Sequence, residues 1–141
     1  MKVSRYMTQK LITATPAMTV KQAFLLMGSH RVRHIPVVEG DELVGIISDR
    51  DLRRPRWAEG VDDWTSFYQV DDNHTVADVM TRSPETVRAS DEIRKAVGIF
   101  RDRRYGALPV LNKDGELIGI LSAQDLLGAL DELLEKVGQK G

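Results

Sequence analysis

The stretch LVGIISDRDL runs from Leu43 to Leu52, and LIGILSAQDL runs from Leu117 to Leu126. Each is an apolar, β-branched run interrupted by one glycine, closed by a serine and followed three residues later by an aspartate. Displacing the chain by 73 residues lays Met7-Thr8 on Met80-Thr81, Thr13 on Thr86, Ala23 on Ala96 and Pro36-Val37 on Pro109-Val110. One extra residue in the second copy's turn then makes the offset 74, and Gly45, Ser48, Asp51 and Leu52 fall on Gly119, Ser122, Asp125 and Leu126. The slip lies where a loop tolerates it, and the period exceeds the roughly 20–50 residues of solenoid units. The chain is a duplicated half-domain.

Each copy reads as β-α-β-β-α. A short extended piece (Leu11–Thr15; Glu85–Arg88) precedes a helix with an apolar stripe: Val20, Ala23, Phe24 and Met27, then Ile93, Ala96, Val97 and Phe100. All but the two alanines of these stripes are expected in the core. Thr19 and Ser90 are the expected N-caps. Two β-rich runs joined by a turn follow (HIPVV and ELVGIIS; ALPVL and ELIGILS) and read as a hairpin. A second helix starts at each serine; Pro55 stops or kinks the first, while the other runs on through LLGALDELLEKV. Each half exposes the apolar face of a small sheet, which pairing two halves would bury. The expected fold class is α+β, with the repeats packed about a pseudo-twofold axis. The expected organisation is repeat 1 over 1–55, an aromatic-rich linker over 56–74 and repeat 2 with its C-terminal helix over 75–141. The linker holds Trp57, Trp64, Phe67 and Tyr68, expected to pack it onto the body or to dock a partner. TVADVM, Thr75 to Met80, reads as a short capped helix.

The totals exclude several functions. The chain has 141 residues and a formal charge of -1, which gives no bulk attraction to nucleic acid or an anionic membrane. It has no cysteine, so disulfides, thiolate metal sites and a catalytic thiol are out. No apolar run is long enough to span a bilayer and the N-terminus lacks a signal-like stretch, so the expectation is a soluble, cytoplasmic protein. His30 and His34 have zinc-like spacing only on a continuous helix, and Pro36 makes His34 extended. Arg50, Arg53, Arg54 and Arg56 form a basic cluster, a solvated face or a phosphate attractor. No nucleophile–base set or phosphate loop is visible, so an enzyme is not expected, nor is a metal or cofactor.

Ser-x-x-Asp at a strand-to-helix junction is a capping box. It is also compatible with a ligand. Glycine inside a strand marks the close approach of a backbone or ligand, a helix N-terminus accepts phosphate, and a carboxylate can hold paired hydroxyls.

With its order of Met-Thr, helix, Pro-Val and Gly-apolar-apolar-Ser-x-x-Asp-Leu in duplicate, the chain from about Met7 to Leu130 resembles a tandem pair of CBS domains, a Bateman module. The resemblance implies a stand-alone regulatory module that senses AMP, ADP, ATP or S-adenosylmethionine in clefts between its repeats, works as a homodimer and signals to an effector protein the sequence does not name. Carried over residue by residue, it implies that Asp51 and Asp125 bind ribose hydroxyls and that Ser48, Arg50, Ser122 and Gln124 approach phosphates. Arg33, His34 and Ile35, and Gly106, Ala107 and Leu108, would line the base pockets, with Thr13 and Thr86 nearby. It pairs the base pocket of one copy with the aspartate of the other. The copies differ at Asp49-Arg50 against Ala123-Gln124, so two unequal sites are expected. The alternative is a protein–protein scaffold that keeps the fold and uses Ser-x-x-Asp only as a cap. The leucines of the last helix, Leu126, Leu127, Leu130, Leu133 and Leu134, exceed the needs of one core face and are expected to help form the homodimer.

Overall fold

The computed structural model describes residues 1–53 and 73–140. Pro55, Arg54, Arg56 and the aromatic linker residues lie outside the described part. The chain divides into two compact units, one of Ile12–Pro84 and one of Met1–Leu11 with Glu85–Gly141.

The first unit contains helix α2 (Val20–His30), strands β1 (His34–Glu39) and β2 (Glu42–Ser48), helix α3 (Asp49–Arg53), helix α4 (Val76–Val79) and strand β3 (Thr81–Arg82). β1 and β2 form the antiparallel hairpin, with Ile35 opposite Ile47 and Val37 opposite Gly45. β3 adds to β2 antiparallel, Ile46 facing Thr81. The expected first strand shrinks to a single parallel bridge between Ala14 and Val37, held by hydrogen bonds of 3.0 and 2.9 Å on either side. Ile35, Val37 and Ile47 point inward with Val20, Ala23 and Met27 of α2, and α4 closes the core with Val76 and Val79. Thr19 caps α2 as expected, forming a capping box with Gln22.

The second unit repeats this plan. It contains helix α1 (Val3–Tyr6), strand β4 (Val87–Arg88), helix α5 (Ile93–Arg103), strands β5 (Ala107–Leu111) and β6 (Leu117–Ser122) and the long helix α6 (Ala123–Lys140). β4 runs parallel to β5, and β5 pairs antiparallel with β6. Val3 sits in the core with Val87, Ala96, Leu108, Val110 and Leu121.

The compact units cross the repeat boundaries. The segment that leads into the second repeat, α4 and β3, belongs to the unit of the first. The segment that leads into the first repeat, α1 and Thr8, belongs to the unit of the second. The correspondence extends to single bonds. The Val20 N–H donates to the His74 carbonyl at 2.9 Å, and the equivalent Ile93 N–H donates to the Met1 carbonyl at 2.8 Å.

These lead-in segments explain the glycine in each β-run. A Cβ on Gly45 would stand 2.7 Å from the Met80 sulfur and 2.9 Å from the Thr81 carbonyl. One on Gly119 would stand 2.9 Å from the Thr8 carbonyl and 3.0 Å from the Met7 sulfur. The paired Met-Thr and Gly of the repeat are therefore two sides of one contact.

Some expectations change. Ser90 is not the N-cap of α5; Glu92 is, without a side-chain cap bond. The Asp91 carboxylate instead accepts from the Arg88 N–H at 2.8 Å and closes the turn, and Glu92 pairs with Lys2 and the N-terminal amine. The core face of α5 is Ala96 flanked by partly buried Ile93, Ile99 and Phe100, while Val97 is exposed. The stripe differs from the expected one in that Ile99 takes the place of Val97. Phe24 is likewise only partly buried.

Candidate functional site

At the end of each hairpin the strand hands over directly to a helix. The Ser48 Oγ accepts from the Asp51 N–H at 3.1 Å, and Asp51 Oδ2 accepts from the Ser48 N–H at 2.9 Å. Ser122 and Asp125 make the same pair at 3.1 and 2.8 Å. Both motifs are therefore reciprocal capping boxes, which satisfy two backbone donors that the helix start would otherwise leave unpaired. In each box the bond uses Oδ2. The four side chains are half-buried, and Arg50 and Gln124 beside them are exposed.

The residues before each hairpin's first strand reach the same end of the unit. His34 is the cross-strand partner of Ser48, and Ala107 of Ser122. The Asp49 N–H donates to the Arg33 carbonyl at 2.9 Å, and the Ala123 N–H to the Gly106 carbonyl at 3.1 Å. Arg33, His34, Ser48, Arg50 and Asp51 thus share one end of the first unit, and Gly106, Ala107, Ser122, Gln124 and Asp125 one end of the second. Ile35 and Leu108 are different: both are 0% exposed and belong to their unit's core. Their side chains hold the sheet to the helix and present no surface to a ligand. Thr13 is half-buried beside the Ala14 bridge, and Thr86 precedes β4.

Electrostatics separate the two ends. His34 has a pKa below the ordinary histidine value because burial disfavours its cation and Arg33 adds repulsion; the Asp49 and Asp51 carboxylates oppose this. The second unit has Ala107 there. His30 ends α2, Arg31 follows with φ 55 and His34 opens β1, so the two histidines share no helical face.

Sequence reasoning missed one feature of the first unit. A pocket of about 320 Å³ lies against the C-terminal half of α2. Phe24, Met27 and Val32 give it apolar walls, Arg31, Arg33 and Asp49 charged ones, and Gly28 leaves room. Arg31 stands in the left-handed cap position of the helix, a place where glycine is usual. The helix length and its Gly-x-x-Arg ending were the only signals available.

Comparison with known proteins agrees with this architecture. The family model for the CBS domain matches residues 3–56 and again residues 76–132. The chain belongs to the CBS-domain family. A CBS domain-containing protein of Dictyostelium discoideum is 33% identical over 140 residues, covering 96% of this chain and 94% of the relative. The chloroplastic CBS domain-containing protein CBSX1 of Arabidopsis thaliana is 29% identical, and the match spans 63% of its length. An inosine-5'-monophosphate dehydrogenase of Korarchaeum cryptofilum is 29% identical over only 23% of its length, so the chain resembles a part of that larger enzyme. Among solved structures, CBSX2 in complex with AMP is 30% identical with a TM-score of 0.77, over 94% of this chain and 97% of that one. The match to a CBS pair therefore extends over nearly the whole chain. No helix among the described residues is long and apolar enough to cross a membrane.

Proposed function

We propose that the chain is a non-catalytic regulatory module whose ligand is an adenine nucleotide, AMP first among AMP, ADP, ATP and S-adenosylmethionine. The observation that carries this reading is the AMP complex of CBSX2, related to this chain at 30% identity over nearly its full length. The geometry supports it. Asp51 and Asp125 each use one carboxylate oxygen in the cap, and a carboxylate can accept further bonds on the other, as paired ribose hydroxyls require. In this reading Ser48 and Arg50, and Ser122 and Gln124, stand toward the phosphates, and Arg33 and His34 make the first unit's end the more polar one. A separate effector protein reads the ligand state. The exposed leucines of α6, with Leu127 at 56% and Leu134 at 58%, support a homodimer, checked by the mass in light scattering at tens of micromolar.

A second reading has an observation of its own. The two capping boxes and the Met-Thr contacts over Gly45 and Gly119 account for the whole repeated motif without a ligand, as expected of a scaffold that binds only protein. Calorimetric titration separates them. A hydrogen bond to a charged group contributes about 1.5–3 kcal/mol, so Asp51→Ala and Asp125→Ala should each weaken nucleotide at their own site by roughly 10- to 150-fold. Under the scaffold reading the same variants lose about 1 kcal/mol of stability through the cap, and the wild type shows no heat with AMP, ATP or S-adenosylmethionine at millimolar concentration.

A further inference from the structure

We infer that the pocket on α2 of the first unit is a ligand site in its own right, one that takes a small organic anion: a carboxylate or phosphate ester on a flat apolar body. Its lining shares Arg33 with the proposed nucleotide site but does not include Ser48, Arg50 or Asp51, so the two sites adjoin and are tested separately.

Three observations carry it. The first is size: about 320 Å³ lies at the lower end of the roughly 300–1,000 Å³ typical of small-molecule sites. The second is chemistry. Phe24, Met27 and Val32 supply apolar contact, and the lining also carries two arginines and one carboxylate residue, Asp49. Neither Arg31 nor Arg33 makes a side-chain ion pair among the described residues, and guanidinium recognises carboxylate and phosphate with two parallel bonds. The carbonyls at the end of α2 attract the same cations, so a merely structural role is the competing account.

The third observation is the open space at Gly28. A Cβ there would meet nothing within 4 Å, although glycine is a poor residue inside a helix. At the equivalent position of the second unit the chain carries Arg101, and Gly106 and Ala123 replace Arg33 and Asp49. The shared frame accepts a large side chain at this point of the helix, and the first copy leaves it clear.

The test uses the full chain, isotope-labelled for NMR and titrated with phenyl phosphate, benzoate and uncharged benzyl alcohol. Two variants remove the site without removing the fold. Gly28→Leu fills the pocket with a better helix former, and Arg31→Gly puts the preferred residue in the left-handed position, where φ is 55. Both should melt at or above the wild-type temperature. The expected result is saturable shifts of the amides of residues 24–33 with one or both anions, and roughly 10-fold or more weaker binding of benzyl alcohol. Gly28→Leu should abolish the shifts, and Arg31→Gly should weaken binding by a similar factor. Selectivity between the anion arms decides between carboxylate and phosphate ester. The inference is overturned if neither anion saturates, if the shifts fall only on residues 48–51, or if Gly28→Leu binds like wild type. AMP titration of the same variants reports separately on the nucleotide site.

Discussion

The two Ser-x-x-Asp junctions have the same skeleton and different surroundings. Their cap bonds agree to within about a tenth of an ångström, and in both units the next residue's N–H ties back to the chain entering the hairpin. Around that skeleton the first unit places Arg33, His34, Asp49 and Arg50, and the second places Gly106, Ala107, Ala123 and Gln124. The duplicated serine and aspartate make the backbone caps, and the residues that differ are the charged and polar ones of the first unit. Likeness between copies follows the needs of folding, and a ligand contact at Asp51 and Asp125 would be a second use of the same side chains. Gly45 and Gly119 show how easily the two are confused. As sequence they are compatible with a ligand's approach, and in the structure each makes room for a methionine and a carbonyl of the lead-in segment.

The largest effects should fall where the units are most alike. Ile47 and Leu121 are both 0% exposed and occupy matching core positions. Ile47→Ala and Leu121→Ala should each cost about 2–5 kcal/mol, read by urea denaturation. A cost under 1 kcal/mol in one unit alone would break the equivalence of the two cores. Phe24→Ala should cost less than either, because its ring is only partly buried.

Next come the glycines. Gly45→Ala and Gly119→Ala press a methyl group against a backbone carbonyl at 2.9 Å, and such overpacking costs about 1–3 kcal/mol. Met80→Ala in the Gly45→Ala background should relieve only the sulfur contact and leave the Thr81 carbonyl. Incomplete rescue in thermal melts is expected, and full rescue would show that the strand can shift.

The smallest effect is a pH dependence confined to the first unit. The folded-state pKa of His34 lies below its ordinary value of 6.5, so the unfolded chain binds the proton more readily. The resulting stability is fully present above about pH 6.5 and is lost as pH falls through that value toward the depressed folded pKa. His34→Ala, which copies Ala107, should flatten this part of the stability–pH curve between pH 7 and 5. An unchanged curve would remove His34 as its source.

Much of this molecule was legible from residue order. The duplication, the hairpins and the capping of α2 by Thr19 follow from local chemistry: alternation, turn residues and a side chain reaching three positions along. Legibility ended where a rival partner intervened. Ser90 lost the cap position because Asp91 closes the turn and Met1 and Lys2 come in from a distant part of the chain. On α5 the expected Val97 is exposed and Ile99 packs on the core instead, since spacings of three and four residues both return to one helix face and only tertiary packing chooses between them. The Gly-x-x-Arg ending of α2 did not reveal the pocket that Gly28 and Arg31 line, because a cavity depends on what neighbouring elements fail to fill.

The sequence by itself determined that there are two copies, that each holds a helix, a hairpin and a second helix, and where each helix after a serine begins, since hydrogen bonds within a few residues settle those matters. It could not say which lead-in segment joins which hairpin. Met7-Thr8 and Met80-Thr81 are the same dipeptide, and Gly45 and Gly119 offer each the same gap. Only the tertiary structure decided that Met80-Thr81 lies over Gly45 and Met7-Thr8 over Gly119. The physical reason is that contacts between identical local sequences carry no address: the choice is made by the path of the chain and by the burial of Val76 and Val79 in one core and Val3 in the other.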